Sequence, residues 1–296
     1  MGEEPQPAAA PEAVSRLRAH VEMLAATIGE RHLWEYGALE RAAQYIETAL
    51  NISGYTPRRQ TFELAKLPLS NIEATLQGAA RAGEMVVVGA HYDSVAGCPG
   101  ANDNATGVAA VLELARRFSR RPQPRTIRFV AFVNEEPPFF RTRDMGSVVY
   151  ANAARARGDR VTAMLALETM GYYSDEPGSQ RYPAPIALLY PDVGSFIGFV
   201  ANVRSARLLV QARRAFKRRT SFPLQSAAVP EVIPGVGWSD HWAFWQAGYA
   251  AMMVTDTAPF RYPWYHTAED TPDKVDYGRL AQVVDGLEGV IEAISR

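Results

Sequence analysis

The stretch of sequence that decides the fold is Val86 to Gly107, VVVGAHYDSVAGCPGANDNATG. It begins with an apolar run that is typical of a buried parallel strand. The strand ends at His91 and is followed by Asp93, and a loop rich in Gly, Pro, Asn and Asp carries Asp103 to the start of a helix near residue 105. Because open α/β sheets bind ligands outside the carboxyl ends of their strands, a functional site is expected where these three side chains lie.

On either side of this stretch, apolar runs alternate with segments of helical periodicity. Strands are predicted at 60–64, 71–76, 85–90, 126–133, 161–167, 186–190 and 250–254, and helices at 11–28, 36–51, 105–118, 145–156, 194–215, 238–246 and 277–294. Such alternation predicts an α/β fold of three layers, α/β/α, around a central, mostly parallel mixed sheet. Residues 1–10 are expected to be a disordered tail, and 11–296 a single domain.

Composition excludes several classes of protein. The formal net charge is −1 and 47% of the 296 residues are hydrophobic, which is ordinary for a globular protein and gives no reason to expect a nucleic acid or a membrane surface as partner. A single cysteine, Cys98, rules out an intrachain disulfide. No apolar run approaches the length that spans a bilayer. A leader trimmed from the start would leave the same acidic, Pro/Ala-rich beginning, so the protein is expected to be secreted or periplasmic if a leader was trimmed and cytoplasmic otherwise. The sequence does not indicate the oligomeric state.

Potential metal ligands follow the ends of several predicted strands. The side chains are carboxylates and imidazoles, which bind zinc and related divalent ions. Glutamates directly after apolar strands such as TIRFVAFVNEE and VTAMLALE would be costly to bury without a partner, and a cation supplies one. The candidates are His91, Asp93, Asp103, Glu135, Glu136, Glu168 and His266.

Each candidate taken alone also has a structural explanation. Asp103 could cap the helix that follows it, and Glu168 could pair with an arginine. Glu135 and Glu136 could form a solvated turn, and His266 could be a histidine of a surface loop. The metal-site hypothesis rests on the coincidence of all of them with strand ends of one sheet.

The motifs HYDS, PGANDNATG, a strand ending in NEE, LETMGY, SDH and YHTAEDTPDKVD follow one another in this order. In that order they resemble the co-catalytic di-zinc aminopeptidase family, zinc exopeptidases related to glutamate carboxypeptidases and to the single-zinc glutaminyl cyclases. The resemblance covers about residues 85 to 296. It implies a zinc-exopeptidase-like fold, two zinc ions per chain, and a peptide or small aminoacyl substrate.

The resemblance also implies a role for each site residue. Asp103 would bridge the two zinc ions; His91 and Glu168 would complete one site, and Glu136 and His266 the other. Glu135 would be the general base. Asp93 would orient His91 by contacting the imidazole nitrogen that does not bind the metal. Asp240 and His241, from the SDH motif, would support the site or line the pocket.

The sequence departs from the family pattern in three places. The position of Glu168 is often an aspartate, so its longer side chain could change the spacing of the metals. Residues 137–144 (PPFFRTRD) intervene before Met145-Gly146-Ser147 and should reshape the pocket rim. Asn102 and Asn104 flank Asp103 where acids are common, which lowers the local negative charge.

These residues favour a metal-dependent aminopeptidase, in which Glu135 takes a proton from a metal-activated water and passes it to the leaving amine. The aromatic loop 260–265 (FRYPWY), with Phe139 and Phe140 opposite, is predicted to line a pocket for apolar or aromatic N-terminal residues. Three alternatives remain. Arg141 and Arg143 could bind a substrate carboxylate, as in a carboxypeptidase; the protein could be a single-zinc glutaminyl cyclase; or the fold could be a non-catalytic binding module. The basic run at 213–219 is expected to be a solvated helix end.

Overall fold

The structure is a computed structural model that describes residues 10–182 and 189–296. Within them, eight strands form one mixed sheet in the order β1-β2-β4-β3-β5-β8-β6-β7. The strands are β1 (Arg58–Leu64), β2 (Leu67–Leu76), β3 (Arg81–His91), β4 (Arg125–Phe132), β5 (Arg160–Glu168), β6 (Ile197–Ala201), β7 (Leu224–Ala228) and β8 (Ala251–Thr255). The helices are α1 (Pro11–Glu22), α2 (Tyr36–Ile52), α3 (Thr106–Phe118), α4 (Gly146–Ala156), α5 (Ala206–Arg219), α6 (His241–Gln246), α7 (Ala258–Arg261) and α8 (Tyr277–Ser295).

The alternation of side chains along the central strands builds two separate cores. On β3, Val86 and Val88 pack on one face of the sheet with α1, α2, α3, α5 and α8. Met85 and Val87 point to the other face and pack with α4 and α6. Because both faces of the sheet are covered, the central strands are apolar throughout. The predicted three-layer α/β/α fold is thus confirmed, with four parallel neighbours (β4-β3, β3-β5, β5-β8 and β6-β7) among the seven strand pairs of the described sheet.

The prediction that residues 194–215 are helical, in one or two pieces, is wrong in its first half. Residues Ile197–Ala201 form β6, which is antiparallel to β8 and parallel to β7, and the helix α5 begins only at Ala206. An apolar run of this length fits a buried strand and a buried helix equally well, and pairing on both sides decides for the strand. The edge strand β7 (LQSAA) was not predicted, since its short, small and polar side chains carry little strand signal.

Two further predictions fall wholly or partly on residues that the structure does not describe. The strand predicted at 186–190 falls largely on residues 183–188, which are not described, and Leu189 and Tyr190 lie in a turn. Residues 1–9 of the expected tail are likewise outside the described part, so the tail and the single domain 11–296 stay predictions. Within residues 10–182 and 189–296, none of the helices combines the length and the hydropathy that crossing a membrane requires.

Candidate metal centre

The sheet brings the predicted ligands to one edge because β4, β3, β5 and β8 run in parallel. His91 is the last residue of β3 and lies opposite Phe132 of β4, after which the chain continues to Glu135 and Glu136. Glu168 is the last residue of β5, and Asp103 lies in the turn before α3. His266 arrives from the loop after α7. Sequence-distant side chains thus converge at the carboxyl ends of parallel strands.

Asp103 lies between the two histidines. Its Oδ1 is 3.2 Å from His91 Nε2, and its Oδ2 is 3.1 Å from His266 Nε2. The residue is 2% exposed, so both oxygens face the interior of the site. One carboxylate therefore has one oxygen available to each of two neighbouring groups of ligands.

Asp103 belongs to two three-residue sets, in each of which the possible ligand atoms lie within 4.8 Å of one another. The first set is His91, Asp103 and Glu168, with Glu168 Oε2 3.3 Å from His91 Nε2. The second is Asp103, Glu136 and His266, with Glu136 Oε2 3.3 Å from His266 Nε2. These are the two groupings that the sequence resemblance implied.

Glu135 lies between the two sets. Its Oε2 is 3.9 Å from His91 Nε2, and it forms a third possible group with His91 and Glu136. Asn134 directly precedes it with φ of +57°, in the left-handed region, and turns the chain where β4 ends. Because His91 and Glu136 already belong to the other two sets, Glu135 is the carboxylate left over beside them.

The charges in this buried cluster shift one another strongly. Burial raises the pKa of the Glu135 carboxyl well above its ordinary 4.5, and that of Glu136 to about 7. Burial lowers the pKa of His91, but Glu168, Glu135, Asp103 and Asp93 outweigh it and hold that pKa well above 6.5. The pKa of His266 is raised to about 10 by Asp103 and Glu136, again against burial. The carboxylates therefore favour a positive charge at each of the two rings, which a proton or a bound cation can supply.

Asp93 supports both the imidazole and the glutamate pair. Its two carboxylate oxygens accept the backbone N–H groups of Glu135 and Glu136, each at 3.1 Å. The Nδ1 of His91 lies 3.2 Å from the Asp93 backbone carbonyl oxygen and 3.6 Å from its carboxylate. Asp93 therefore orients His91 through its backbone first, while its carboxylate fixes the turn that carries the glutamates.

The two asparagines beside Asp103 tie its turn to neighbouring strands. Asn104 accepts the Thr169 N–H at 3.1 Å and donates to the Leu167 carbonyl at 2.8 Å. Asn102 accepts the Gly171 N–H at 2.8 Å and donates to Asp256 at 2.9 Å. An amide both donates and accepts, which an aspartate in either position could not do.

Two supporting residues were missed in the sequence. Asp270 accepts the backbone N–H groups of Asn102 at 2.8 Å and Asp103 at 3.1 Å, and so holds the bridging turn. Arg31 is fully buried and donates to backbone carbonyls of the loop after β3, including those of Tyr92 at 2.6 Å and Gly100 at 2.8 Å. Asp270 lies in the motif YHTAEDTPDKVD, four residues after His266, but was given no role there, and Arg31 has no sequence signal.

The SDH motif lies beside the first set of ligands. Ser239 donates its hydroxyl to Glu168 Oε2 at 2.7 Å and thereby holds the longer side chain that replaces the family's frequent aspartate. Asp240 is fully buried, and burial raises its pKa to about 7. His241 Nε2 donates to the Val236 carbonyl at 2.8 Å and packs against Trp245, so it supports the 236–245 segment without reaching the ligands.

A cavity of about 120 Å³ opens beside the metal-ligand cluster and is lined by Glu168, Tyr265 and mostly apolar side chains. Of the aromatic loop 260–265, Phe260 and Tyr265 line it. Phe139 and Phe140, predicted on the opposite wall, are not among its lining residues. Phe139 stacks on Trp34 with ring centroids 5.9 Å apart, so the 137–144 segment shapes a different part of the rim.

An observation that does not depend on the sequence motifs also indicates that these oxygen and nitrogen donors can bind zinc. Among the described residues, Asp103 Oδ1, Glu136 Oε1 and His266 Nε2 are buried polar atoms without a hydrogen-bond partner. Buried polar atoms are almost always satisfied, so three unsatisfied ones in one cluster call for a missing partner. Oxygen and imidazole nitrogen donors at these positions suit a divalent transition metal.

Comparison with known proteins shows the family of this chain. The model of peptidase family M28 matches residues 71–291. The chain belongs to peptidase family M28. The match includes every predicted ligand and the loop that carries Asp103.

Among curated relatives of this chain, the uncharacterised protein YfbL of Escherichia coli K12 is 38% identical over 281 residues, covering 92% of this chain and 85% of YfbL. Aminopeptidase YwaD of Bacillus subtilis is 29% identical over 224 residues, covering 72% of this chain. The match spans only 42% of the length of YwaD.

Solved structures confirm the M28 fold. A zinc aminopeptidase of Bacillus subtilis, BSAP, superposes with a TM-score of 0.75 at 17% identity, covering 94% of each chain. A glutaminyl cyclase of Fimbriiglobus ruber superposes with a TM-score of 0.68 at 19% identity, covering 99% of each chain. Both enzyme types thus share the fold, and the fold alone does not separate them.

The geometry around Asp93 predicts a positioning effect. We expect Asp93→Asn to lower the zinc affinity or kcat/KM by about 10- to 100-fold, because an amide cannot accept both backbone N–H groups. Zinc titration against a chromogenic chelator, with activity measured on the same samples, checks this. Asp175→Asn, at an exposed position, is the control. Unchanged affinity and activity in Asp93→Asn would contradict the role.

Proposed function

We propose that this M28 protein is a di-zinc aminopeptidase that removes N-terminal residues from peptides, with Glu135 as the general base. The observation that carries the proposal is the position of Asp103, whose two oxygens lie 3.2 Å from His91 and 3.1 Å from His266. A carboxylate between two ligand sets is the arrangement that two adjacent metal ions require.

Each side chain would have a defined task. His91 and Glu168 would hold one zinc, Glu136 and His266 the other, and Asp103 both. When bound, the ions would lower the pKa of a water and polarise the substrate carbonyl. Glu135 would accept the proton of the attacking water and donate it to the leaving amine, because it lies beside both ligand sets without belonging to either. Asp93 keeps Glu135 at this position through its backbone N–H.

The cavity beside Glu168 supports the aminopeptidase over the carboxypeptidase. Its walls are apolar, and it adjoins the ligands where the first residue of a peptide would lie. Arg141, a candidate for binding a substrate carboxylate, instead donates to the Gly237 carbonyl at 2.8 Å and lies 5.0 Å from the Trp242 ring centroid. Arg143 has a side chain that is 93% exposed. Neither arginine lines the cavity.

A glutaminyl cyclase is the second candidate, because such an enzyme shares the fold. Cyclisation folds a glutamine side chain back on its own amino group, which needs no extended side-chain cavity. The separate ligand set around His91 and Glu168 also favours two metals over one. A non-catalytic module is disfavoured because all five ligands and the base converge.

The function is tested with peptides and aminoacyl anilides that carry a free amino group, the same compounds N-acetylated, and a peptide beginning with glutamine. We expect hydrolysis only of the compounds with a free amino group. Release of pyroglutamyl product without hydrolysis of the other substrates would favour the cyclase, and cleavage of acetylated substrates from the carboxyl end would favour a carboxypeptidase.

Zinc binding should release protons. The pKa of His266 is about 10 and that of His91 is well above 6.5, so both rings carry a proton at pH 7 that zinc must displace. The apparent affinity then rises by about tenfold per pH unit for each proton released. Burial lowers the pKa of His20 and His241 to about 4, so these two rings stay neutral at pH 7.

Titration calorimetry of the zinc-free protein in buffers of different protonation enthalpy measures this release. We expect more than two protons at pH 7, two from the histidines and a fraction of one from Glu136, whose pKa burial raises to about 7, and a weaker affinity as the pH falls. An affinity that does not change between pH 6 and pH 8 would contradict it.

A further inference from the structure

The cavity beside the ligands runs across the sheet. In register, Glu168 on β5 lies opposite Thr255 on β8, Thr255 lies opposite Gly198 on β6, and Gly198 lies opposite Gln225 on β7. All four residues line the same cavity. Because neighbouring strands lie about 4.8 Å apart, the three steps from β5 to β7 give the row a length of about 14 Å. The cavity therefore connects the metal ligands with the edge of the sheet.

Gly198 provides the space in the middle of this row. Its neighbours Ile197 and Phe199 pack into the core on the opposite face, so residue 198 faces the cavity. A Cβ atom there would lie 3.1 Å from the Thr255 carbonyl oxygen and 3.4 Å from Thr257 Cγ2. An added methyl group would be tight, and a longer side chain would have to extend along the cavity.

The walls of the cavity are apolar on either side of Gly198. They include Phe196, Val200, Ile233, Trp238, Met253 and Phe260. Trp238 stacks on Phe260 with ring centroids 6.3 Å apart, and these two rings form one wall. A flat aromatic side chain would find ring faces and aliphatic side chains along this path.

Gln225 is the polar side chain at the far end that is not engaged elsewhere. Gln180 accepts hydrogen bonds from Thr257 at 3.0 Å and Arg261 at 2.7 Å, and Thr255 bonds Thr169 at 3.1 Å. By contrast, the amide of Gln225 has no hydrogen-bond partner among the residues that the structure describes. An amide at the end of an apolar cavity can bind a hydroxyl or an N–H group that arrives there.

We propose that the cavity binds the side chain of the substrate's first residue along this row, that Gly198 sets how long that side chain can be, and that Gln225 binds a polar tip. The class of substrate is then a peptide that begins with a large aromatic residue, tyrosine above all. This inference rests on the proposed aminopeptidase function and adds its specificity.

The length of the cavity is tested with zinc-loaded full-length protein and five substrates that differ only in the first residue: Ala, Leu, Phe, Tyr and Trp. The wild type should favour the aromatic substrates. Gly198→Leu should lower kcat/KM for Phe and Tyr by about 100-fold, the value of excluding a large apolar side chain, and for Ala by less than about threefold. Equal losses for Ala and Phe, or a wild type that favours Ala, would overturn the proposal.

Two further variants keep this test independent of folding. Gly83→Leu makes the same change at an exposed strand position with open space around it, and should leave the substrate order unchanged. Ala227→Leu enters the same cavity from β7, opposite Val200, and should also disfavour Phe and Tyr. If Gly198→Leu does not fold, the outcome of Ala227→Leu decides.

The polar end is tested by Gln225→Met, which keeps the length of the side chain and removes its hydrogen bonds. The ratio of kcat/KM for Tyr over Phe should fall by about 2- to 10-fold, the value of one hydrogen bond, while Leu stays unchanged. An unchanged ratio would remove Gln225 from the proposal.

Failure of the proposed function can be told apart from failure of this inference. If none of the substrates is hydrolysed, the aminopeptidase proposal falls, and the cavity is then tested by calorimetric binding of the amides of L-tyrosine, L-phenylalanine and L-alanine. Gly198→Leu must weaken binding of the two aromatic amides and spare that of alaninamide. Equal weakening of all three overturns the inference.

Discussion

Glu135→Gln should bind two zinc ions and turn over its substrate about 10² to 10⁴ times more slowly than the wild type. Glutamine has the shape of the glutamate but cannot accept a proton from water. The backbone N–H that Asp93 holds is unchanged, so the turn should keep its geometry. Because the five metal ligands are intact, zinc content should stay the same.

This prediction is checked by kcat and zinc content measured on one preparation. Glu269→Gln, at an exposed glutamate near His266, is the matched control and should behave like the wild type. A near wild-type rate in Glu135→Gln would exclude it as the base. Loss of zinc with loss of activity would instead make Glu135 a ligand, as its possible grouping with His91 and Glu136 allows.

Asp103→Asn should lower the zinc affinity of both sites, by more than the roughly 100-fold that loss of a supporting residue costs, and abolish activity. The substituted amide would keep the shape of the side chain but offer only one neutral oxygen and would place N–H donors beside one histidine. By contrast, His91→Ala and His266→Ala should each weaken zinc binding at one site only, since each removes a ligand from one set.

The measurement is zinc stoichiometry after dialysis against chelator of graded strength. If Asp103→Asn loses both zinc ions at the same chelator strength, and each histidine variant loses one zinc ion before the other, the result supports a carboxylate shared by the two sites. Retention of one tightly bound zinc in Asp103→Asn would show that the carboxylate does not bridge.

The ligands were predictable from the sequence because most of them follow a short apolar strand. Parallel strands share an edge, so the positions of His91, Glu135, Glu136 and Glu168 along the chain already predicted their neighbourhood in space. Asp103 and His266 were also candidates from the residues alone, but their assignment to particular metals needed the family resemblance, because loop geometry is not fixed by hydrophobic periodicity.

The supporting residues were not predictable for a physical reason. Asp270 and Arg31 act on backbone groups that lie 167 and 61 residues away along the chain, as in the contacts with Asp103 and Tyr92. Any residue can offer a backbone N–H or carbonyl, so such contacts leave no pattern in the sequence. Asn102 and Asn104 were noted only as missing charges, whereas the structure uses both ends of each amide.

The sequence predicted that the aromatic loop 260–265 lines a pocket, but not which strands form the rest of that pocket. Phe260 and Tyr265 line the cavity, but its length depends on β6 and β7. The sequence had predicted a helix where β6 lies and no regular element where β7 lies. Gly198 gains its importance only when its strand is paired between β8 and β7, which no local pattern shows.

The most direct test of the account is a crystal structure of the zinc-loaded protein with anomalous data collected at the zinc edge. We predict two full-occupancy zinc peaks per chain, one bound by His91 and Glu168 and the other by Glu136 and His266, with one oxygen of Asp103 on each. A single peak, or two peaks without Asp103 between them, would contradict the account.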